Sequence, residues 1–256
     1  MNRGANTMHL SYEQKKHFAE KGYVKIPSVI PQPMVHETVK MINSSLGTNG
    51  MNKEDLPQFR ARSYCPELQN MPLMRDLIIK TPTLDFAESI IGKDKIKPVH
   101  MGQIALRFPS MQEKANKPGY HLDGIYSENN GVKEKTYHNF TMLLGIMMSD
   151  LPHENSGNLT VWPGSHLLYE EYFRKHGTDI LMEKMPPIDI GDPVQITGKA
   201  GDIVLCHYQL AHGIASNMSP HIRYALYYRL KHEEHDSVWK ETYKNIWMHY
   251  PGIREL

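Results

Sequence analysis

The chain has 256 residues, 40% hydrophobic and 22% charged, and its 29 Lys and Arg nearly cancel its 28 Asp and Glu. A formal charge of +1 offers no electrostatic case for nucleic acid or for an acidic membrane surface, and no apolar run approaches a membrane span. The two cysteines, Cys65 and Cys206, form no CxxC pair, which argues against a zinc finger or disulfide scaffold and for a reducing, cytoplasmic setting.

In chain order, Met1–Thr7 lacks the apolar core of a signal peptide. Ser11 can cap a helix through about Ala19 that stops at Lys21-Gly22, and Tyr23 to Pro27 alternates like a strand. Val35, Val39, Ile42 and Leu46 recur at helical spacing, so Pro33 to Leu46 is predicted as an amphipathic helix closed by Gly47. Residues 47–64 read as a loop, and Leu68–Ile79 and Thr83–Ile91 as two further helices, the second ending at Gly92. Beyond residue 95 the pattern changes to strands: Ile96–Phe108, Tyr137–Met148, Leu159–Trp162, Val194–Thr197, Ile203–His207 and Ile222–Leu230. Between them, Met111–Lys117 and Ser127–Thr136 are polar loops of the kind that flank a pocket mouth. The C-terminal Arg254-Glu255-Leu256 is not a Ser-Lys-Leu peroxisomal address. Helices first and strands later predict a mainly β chain, a sandwich or open barrel with helices packed outside. With no internal repeat and no low-complexity linker, residues 1–256 are expected to form one domain: a helical lead-in over about 8–95, then a β core over about 96–231.

Chemistry concentrates at His121-Leu122-Asp123. In extended backbone, residues two apart point to one side, so an imidazole and a carboxylate converge. A second histidine from a distant strand would complete a two-histidine, one-carboxylate face, which leaves about three positions open on an octahedral metal. Of the fifteen histidines, His212 is the best partner, because Gly213 after it allows close backbone approach. Arg223 follows ten intervening residues later, where its guanidinium can face the same cavity and grip a carboxylate through two parallel hydrogen bonds. The set points to a metal with a dicarboxylate cosubstrate.

Four segments in this order carry a family resemblance: Gly119-Tyr120-His121-Leu122-Asp123; Asp150 to Leu159 running into Trp162-Pro163-Gly164-Ser165-His166; Gly201-Asp202-Ile203-Val204-Leu205; and His212-Gly213 with Arg223. With them, and with the lead-in ending in Gly22-Tyr23-Val24, the chain resembles the phytanoyl-CoA dioxygenase-like group of Fe(II)/2-oxoglutarate oxygenases over roughly residues 8–231. The resemblance implies a double-stranded β-helix, a cupin-like jelly roll. It implies Fe(II) on His121, Asp123 and His212, the far carboxylate of 2-oxoglutarate on Arg223, and dioxygen at the remaining metal position. It also implies hydroxylation of a small organic molecule at an unactivated C–H bond, with release of succinate and CO2. Asp123 argues against the halogenase branch, where a small residue replaces the carboxylate. The alternative is a family member that has lost catalysis and acts as a ligand-binding or regulatory protein.

Two positions depart from the family pattern. Many relatives carry serine two residues after the distal histidine, where this chain has Ile214, and many carry tryptophan near Gly145, which suggests a wider pocket here. Gln103 and Thr141 are expected to supply replacement contacts to the cosubstrate, with Arg107 a further candidate. Arg229 lies on the same predicted strand face as Arg223 and competes with it as the carboxylate anchor, although family spacing favours Arg223. Plainer roles suit the remaining polar residues. His207 reads as a partly buried strand histidine, His232-Glu233-Glu234-His235 as a solvated charged face, and His166 as a hydrogen-bonding residue within its own loop. Asp202 reads as a turn residue, and Met142, Met147 and Met148 as core.

Overall fold

Ser11 opens α1 (Tyr12–Lys21) with a capping box: its hydroxyl accepts from the Gln14 amide, and the Gln14 side chain accepts from the Ser11 amide. The structure, a computed structural model, describes residues 8–256, so Met1–Thr7 and the signal-peptide reading lie outside the described residues. Gly22 ends α1 in the left-handed region and feeds β1 (Tyr23–Ile26). The helix predicted to close at Gly47 runs on as α2 (Gln32–Asn49), since one glycine costs a helix only about 1 kcal/mol. The stretch 47–64, expected to be a loop, also holds a turn of 3-10 helix and α3 (Leu56–Ala61). A 3-10 turn at Pro66–Leu68 precedes α4 (Pro72–Ile79), which starts later than expected because Pro72 sets its first turn. Next comes α5 (Thr83–Ile91), with the bounds read from the sequence.

The strands are shorter than their apolar runs: β2 (Gln103–Arg107), β3 (Met142–Met147) and β4 (Leu159–Val161). After α6 (Ser165–His176) come β5 (Val194–Gln195), β6 (Ile203–His207), β7 (His212–Ile214) and β8 (Arg223–Leu230). Two helices close the chain, α7 (His235–Thr242) and α8 (Pro251–Arg254). Helix α6 was not expected, although His166, Tyr169 and Phe173 are spaced for one buried face.

The strands form two antiparallel sheets facing each other, in the orders β1-β6-β3-β8-β2 and β5-β4-β7. An isolated bridge from His121 to His212 lengthens the smaller sheet beyond β7. This is the expected jelly roll with flanking helices. Alternation on the large sheet separates two cores. Met142, Leu144, Ile146, Ile203, Leu205, Leu226 and Tyr228 pack outward against the helices. Leu143, Met147, Val204, Cys206, Ala225 and Tyr227 pack inward against Leu159 and Val161 of the small sheet. Because β3 and β6 are covered on both faces, they read as unbroken apolar runs. Each fully buried Leu or Ile stabilises by roughly 1.5–3 kcal/mol. Met142, Met147 and Met148 are all core residues, as expected.

Asp202 is the turn residue it was expected to be: its carboxylate accepts from the Ser28 and Lys199 amides. His207 is a buried strand histidine on the Ile246 carbonyl. Two readings need correction. His166 reaches out of its loop to the Ala19 carbonyl at the end of α1. In the 232–235 run only Glu233 and Glu234 face solvent, while His232 and His235 are buried beside His249. The reversal after β8 turns both imidazoles inward, where His235 bonds Asn139 and Thr141.

Candidate metal centre

His121 and His212 face each other because their backbones pair. The His121 amide donates to the His212 carbonyl at 3.0 Å, and the His212 amide returns the bond at 3.2 Å. Gly213 makes this possible. A Cβ there would lie 2.0 Å from the Gly119 carbonyl oxygen, so the sequence reading needs refining: the close neighbour that requires glycine is the 119–120 backbone. The His212 ring donates from Nδ1 to the Leu210 carbonyl at 2.9 Å, which turns Nε2 toward His121 and Asp123.

Two residues on from His121, the Asp123 carboxylate swings to the same side. Its Oδ1 lies 3.2 Å from His121 Nε2 and 3.6 Å from His212 Nε2. One donor atom from each of the three residues falls within 4.8 Å of the others. Ligand atoms about 2.1 Å from a metal and adjacent on an octahedron stand about 3.0 Å apart. The observed spacing fits a single divalent ion with small adjustment, and two imidazoles with one carboxylate is the donor set of non-haem iron sites. His212 is buried, the Asp123 side chain is 10% exposed and that of His121 55% exposed, so the centre sits at a mouth.

Burial alone would raise the Asp123 pKa. The Arg229 guanidinium, with the His121 hydrogen bond and the His212 imidazole close by, overrides it and holds the carboxyl well below its usual range. Burial disfavours the charged form of His212, but the adjacent Asp123 carboxylate, with the Leu210 carbonyl, outweighs it and raises its pKa.

Arg223 starts β8, with Ala225, Tyr227 and Arg229 following on the same strand face. It is buried, and no carboxylate hydrogen-bonds it among the described residues. Its Nε donates to the Gly157 carbonyl at 2.8 Å and its Nη1 to the Ala105 carbonyl at 3.0 Å, leaving Nη2 without a hydrogen-bond partner among the described residues. Burial accordingly lowers its pKa. A buried cation without a counter-ion is costly, so the position suits an anionic ligand. Gly157 (φ 79°) lets the loop approach: a Cβ there would lie 3.0 Å from that of Arg107 and 3.1 Å from that of Arg223. Arg107 pairs with Arg223 across β2 and β8, placing two guanidinium side chains side by side.

The other candidates separate. Gln103 meets the centre indirectly, accepting from Arg229 Nη1 at 2.9 Å. Thr141 must be corrected: its hydroxyl accepts from the His232 amide at 2.8 Å and bonds His235 Nδ1 at 3.3 Å, and its carbonyl accepts from Tyr250. The buried His235 takes the hydroxyl meant for a ligand. Nor is the space at Gly145 empty, because Tyr227 Cε1 would lie 3.0 Å from a Cβ there. Ile214 packs against the inter-sheet core. The residue missed as part of the centre is Arg229. Its Nε and Nη2 lie 2.9 and 2.8 Å from Asp123 Oδ2. Strand parity placed it on the right face, but parity carries no information on which carboxylate it meets.

Known proteins share the fold and the family of this chain. The structure is similar to the carbocyclase SnoK from nogalamycin biosynthesis (TM-score 0.57, 21% identity, 86% of this chain and 83% of that one). It is similar to EctD from S. alaskensis in its apoform (TM-score 0.59, 19% identity, 87% and 77%). It is also similar to HygX from Streptomyces hygroscopicus with nickel and 2-oxoglutarate bound (TM-score 0.58, 15% identity, 88% of each chain). No curated protein matches the sequence. The family model of phytanoyl-CoA dioxygenase matches residues 18–225, most of the chain and all of the triad with Arg223, and the chain therefore belongs to the phytanoyl-CoA dioxygenase family of iron- and 2-oxoglutarate-dependent oxygenases.

Proposed function

We propose that this protein is a single-domain, cytoplasmic hydroxylase that uses Fe(II), 2-oxoglutarate and dioxygen to oxidise a C–H bond of a small organic molecule. The observation that carries the proposal is the convergence of His121, Asp123 and His212 at one point, with Arg223 on the inward face of β8. Two buried free thiols and the absence of a membrane-spanning helix among the described residues are compatible with the compartment.

His121 Nε2, His212 Nε2 and Asp123 Oδ1 would hold the iron on one face, as their spacing allows. Bound there with 2-oxoglutarate, iron supplies the oxidation: one atom of dioxygen enters the C–H bond as a hydroxyl, and the other enters succinate as CO2 leaves. Arg223 would bind the far carboxylate of 2-oxoglutarate with Nη2, its guanidinium held by the Gly157 and Ala105 carbonyls. A charge-assisted bond in so buried a place is stronger than one in water. Ile214 and Leu159, opposite each other on the small sheet, offer an apolar wall that keeps water from the interior. Tyr227 fills the space over Gly145 and narrows the floor.

The test is anaerobic loading with Fe(II) and 2-oxoglutarate, admission of air, and measurement of succinate with panels of small amines, acids and alcohols. Succinate above the level of Asp123→Ala supports the reading. Parity between the two proteins in every panel would reject it. Mass analysis then distinguishes hydroxylation, a gain of one oxygen, from a cyclising or epimerising outcome.

A further inference from the structure

Asp123 is held from behind. Both Arg229 Nε and Nη2 contact the same carboxylate oxygen, Oδ2, at 2.9 and 2.8 Å. The other oxygen, Oδ1, is the one that faces the two histidines. Arg229 is itself braced. Its Nη1 donates to Gln103 Oε1 on the neighbouring strand at 2.9 Å, and its guanidinium lies 5.8 Å from the centre of the Phe140 ring. It lies beyond residues 18–225, the stretch matched by the family.

We propose that Arg229, braced by Gln103, is a positioning residue that makes Asp123 a one-oxygen metal ligand and so keeps the remaining coordination positions open. The inference rests on the metal reading of the triad. A carboxylate can bind a cation through one oxygen or chelate it through both. Chelation would consume one of the about three open positions that a two-histidine, one-carboxylate face leaves. A keto acid that binds through two oxygens needs two of those positions, and dioxygen needs the third. With the Nε–H donated to Oδ2 and Nη2 in ion-pair contact with the same oxygen, that side of the carboxylate is taken, and turning it to chelate would break the hydrogen bond and separate the ion pair. Arginine suits the task because its fork places two donors in one plane, which a lysine ammonium cannot do. The same guanidinium places a positive charge beside the metal, so it opposes metal binding while it shapes it.

That opposition gives the test a sign that a general loss of structure would not produce. The probe is Mn(II), which binds without turnover. Its affinity is read by calorimetry and its bound waters by water-proton relaxation, in the wild type, Arg229→Met, Arg229→Lys, Gln103→Leu and His212→Ala. Arg229→Met is expected to bind Mn(II) at least as tightly as the wild type, with fewer bound waters, and to keep no bound water once 2-oxoglutarate is added, where the wild type keeps one. Arg229→Lys keeps the charge but not the fork, so its water count should also fall. Gln103→Leu should shift both readouts in the same direction by less, and it keeps the test open should Arg229→Met fail to fold. An unchanged water count in the Arg229 variants, or weaker Mn(II) binding at an unchanged count, would overturn the proposal and leave the metal reading intact. Wild-type protein that binds Mn(II) no better than His212→Ala would overturn the metal reading and this proposal with it.

Discussion

Gly213 is the residue on which the geometry of the centre makes its sharpest demand. Replacing it with alanine adds one methyl group whose carbon would sit 2.0 Å from the Gly119 carbonyl oxygen and 3.7 Å from Tyr120 Cα. Real contacts of this kind are not shorter than about 3.0 Å, so the 119–121 segment must retreat by about 1 Å. That segment carries His121, and the retreat pulls directly on the paired bonds of 3.0 and 3.2 Å that join it to His212. Losing both would cost about 2 kcal/mol of local stability at roughly 1 kcal/mol each. The larger effect falls on the metal, because one of three ligands is displaced by half a coordinate-bond length. Weakening of metal binding by about 10- to 100-fold is expected, the range found when the support of a ligand is removed. Calorimetric titration of Gly213→Ala with Mn(II), alongside urea unfolding, reads both quantities. Wild-type affinity in a folded Gly213→Ala protein would refute the reasoning, since it would mean that the histidine pair does not depend on this backbone contact.

Other consequences can be measured separately. Arg223→Ala should raise the Kd for 2-oxoglutarate by about 10- to 100-fold while leaving Mn(II) affinity unchanged. It should also destabilise the fold by about 1–3 kcal/mol, because the buried Gly157 and Ala105 carbonyls lose their donor. Leu226→Ala, at a fully buried site in the helix-side core, should cost about 2–5 kcal/mol in urea unfolding with no change in metal affinity. Burial pushes the pKa of His166, His235 and His249 down to about 4, so the folded protein holds these rings neutral. Their contribution is complete above the unfolded value near 6.5 and is lost as pH falls toward 4, because the unfolded chain then binds more protons. His166 alone should account for about 3 kcal/mol of that loss, and a urea midpoint that stays flat between pH 7 and 4 would contradict it.

Much of this protein follows from local rules. The Ser11 cap, the Gly22 stop and the Thr83–Ile91 helix depend on neighbours in the chain, so their bounds are legible without a fold. Two-residue spacing anticipates the side-by-side placement of His121 and Asp123, although Asp123 stands in a turn with Gly124 and not in a strand, and the order of His212 and Arg223 behind them identifies the family. Tertiary structure decided which polar groups meet. Thr141 and Gln103 are equally plausible lining residues in the sequence, yet the buried His235 claims the first and Arg229 the second. His232 and His235 look solvated beside two glutamates until the chain reverses and buries them. Arg229 shares its strand face with Arg223, and only the approach of the 121–123 segment to that end of β8 sets its guanidinium on Asp123. Side-chain periodicity is a property of one strand and is therefore written in sequence. The partner of a charge depends on two segments separated by 106 residues, and the folded chain alone brings them together.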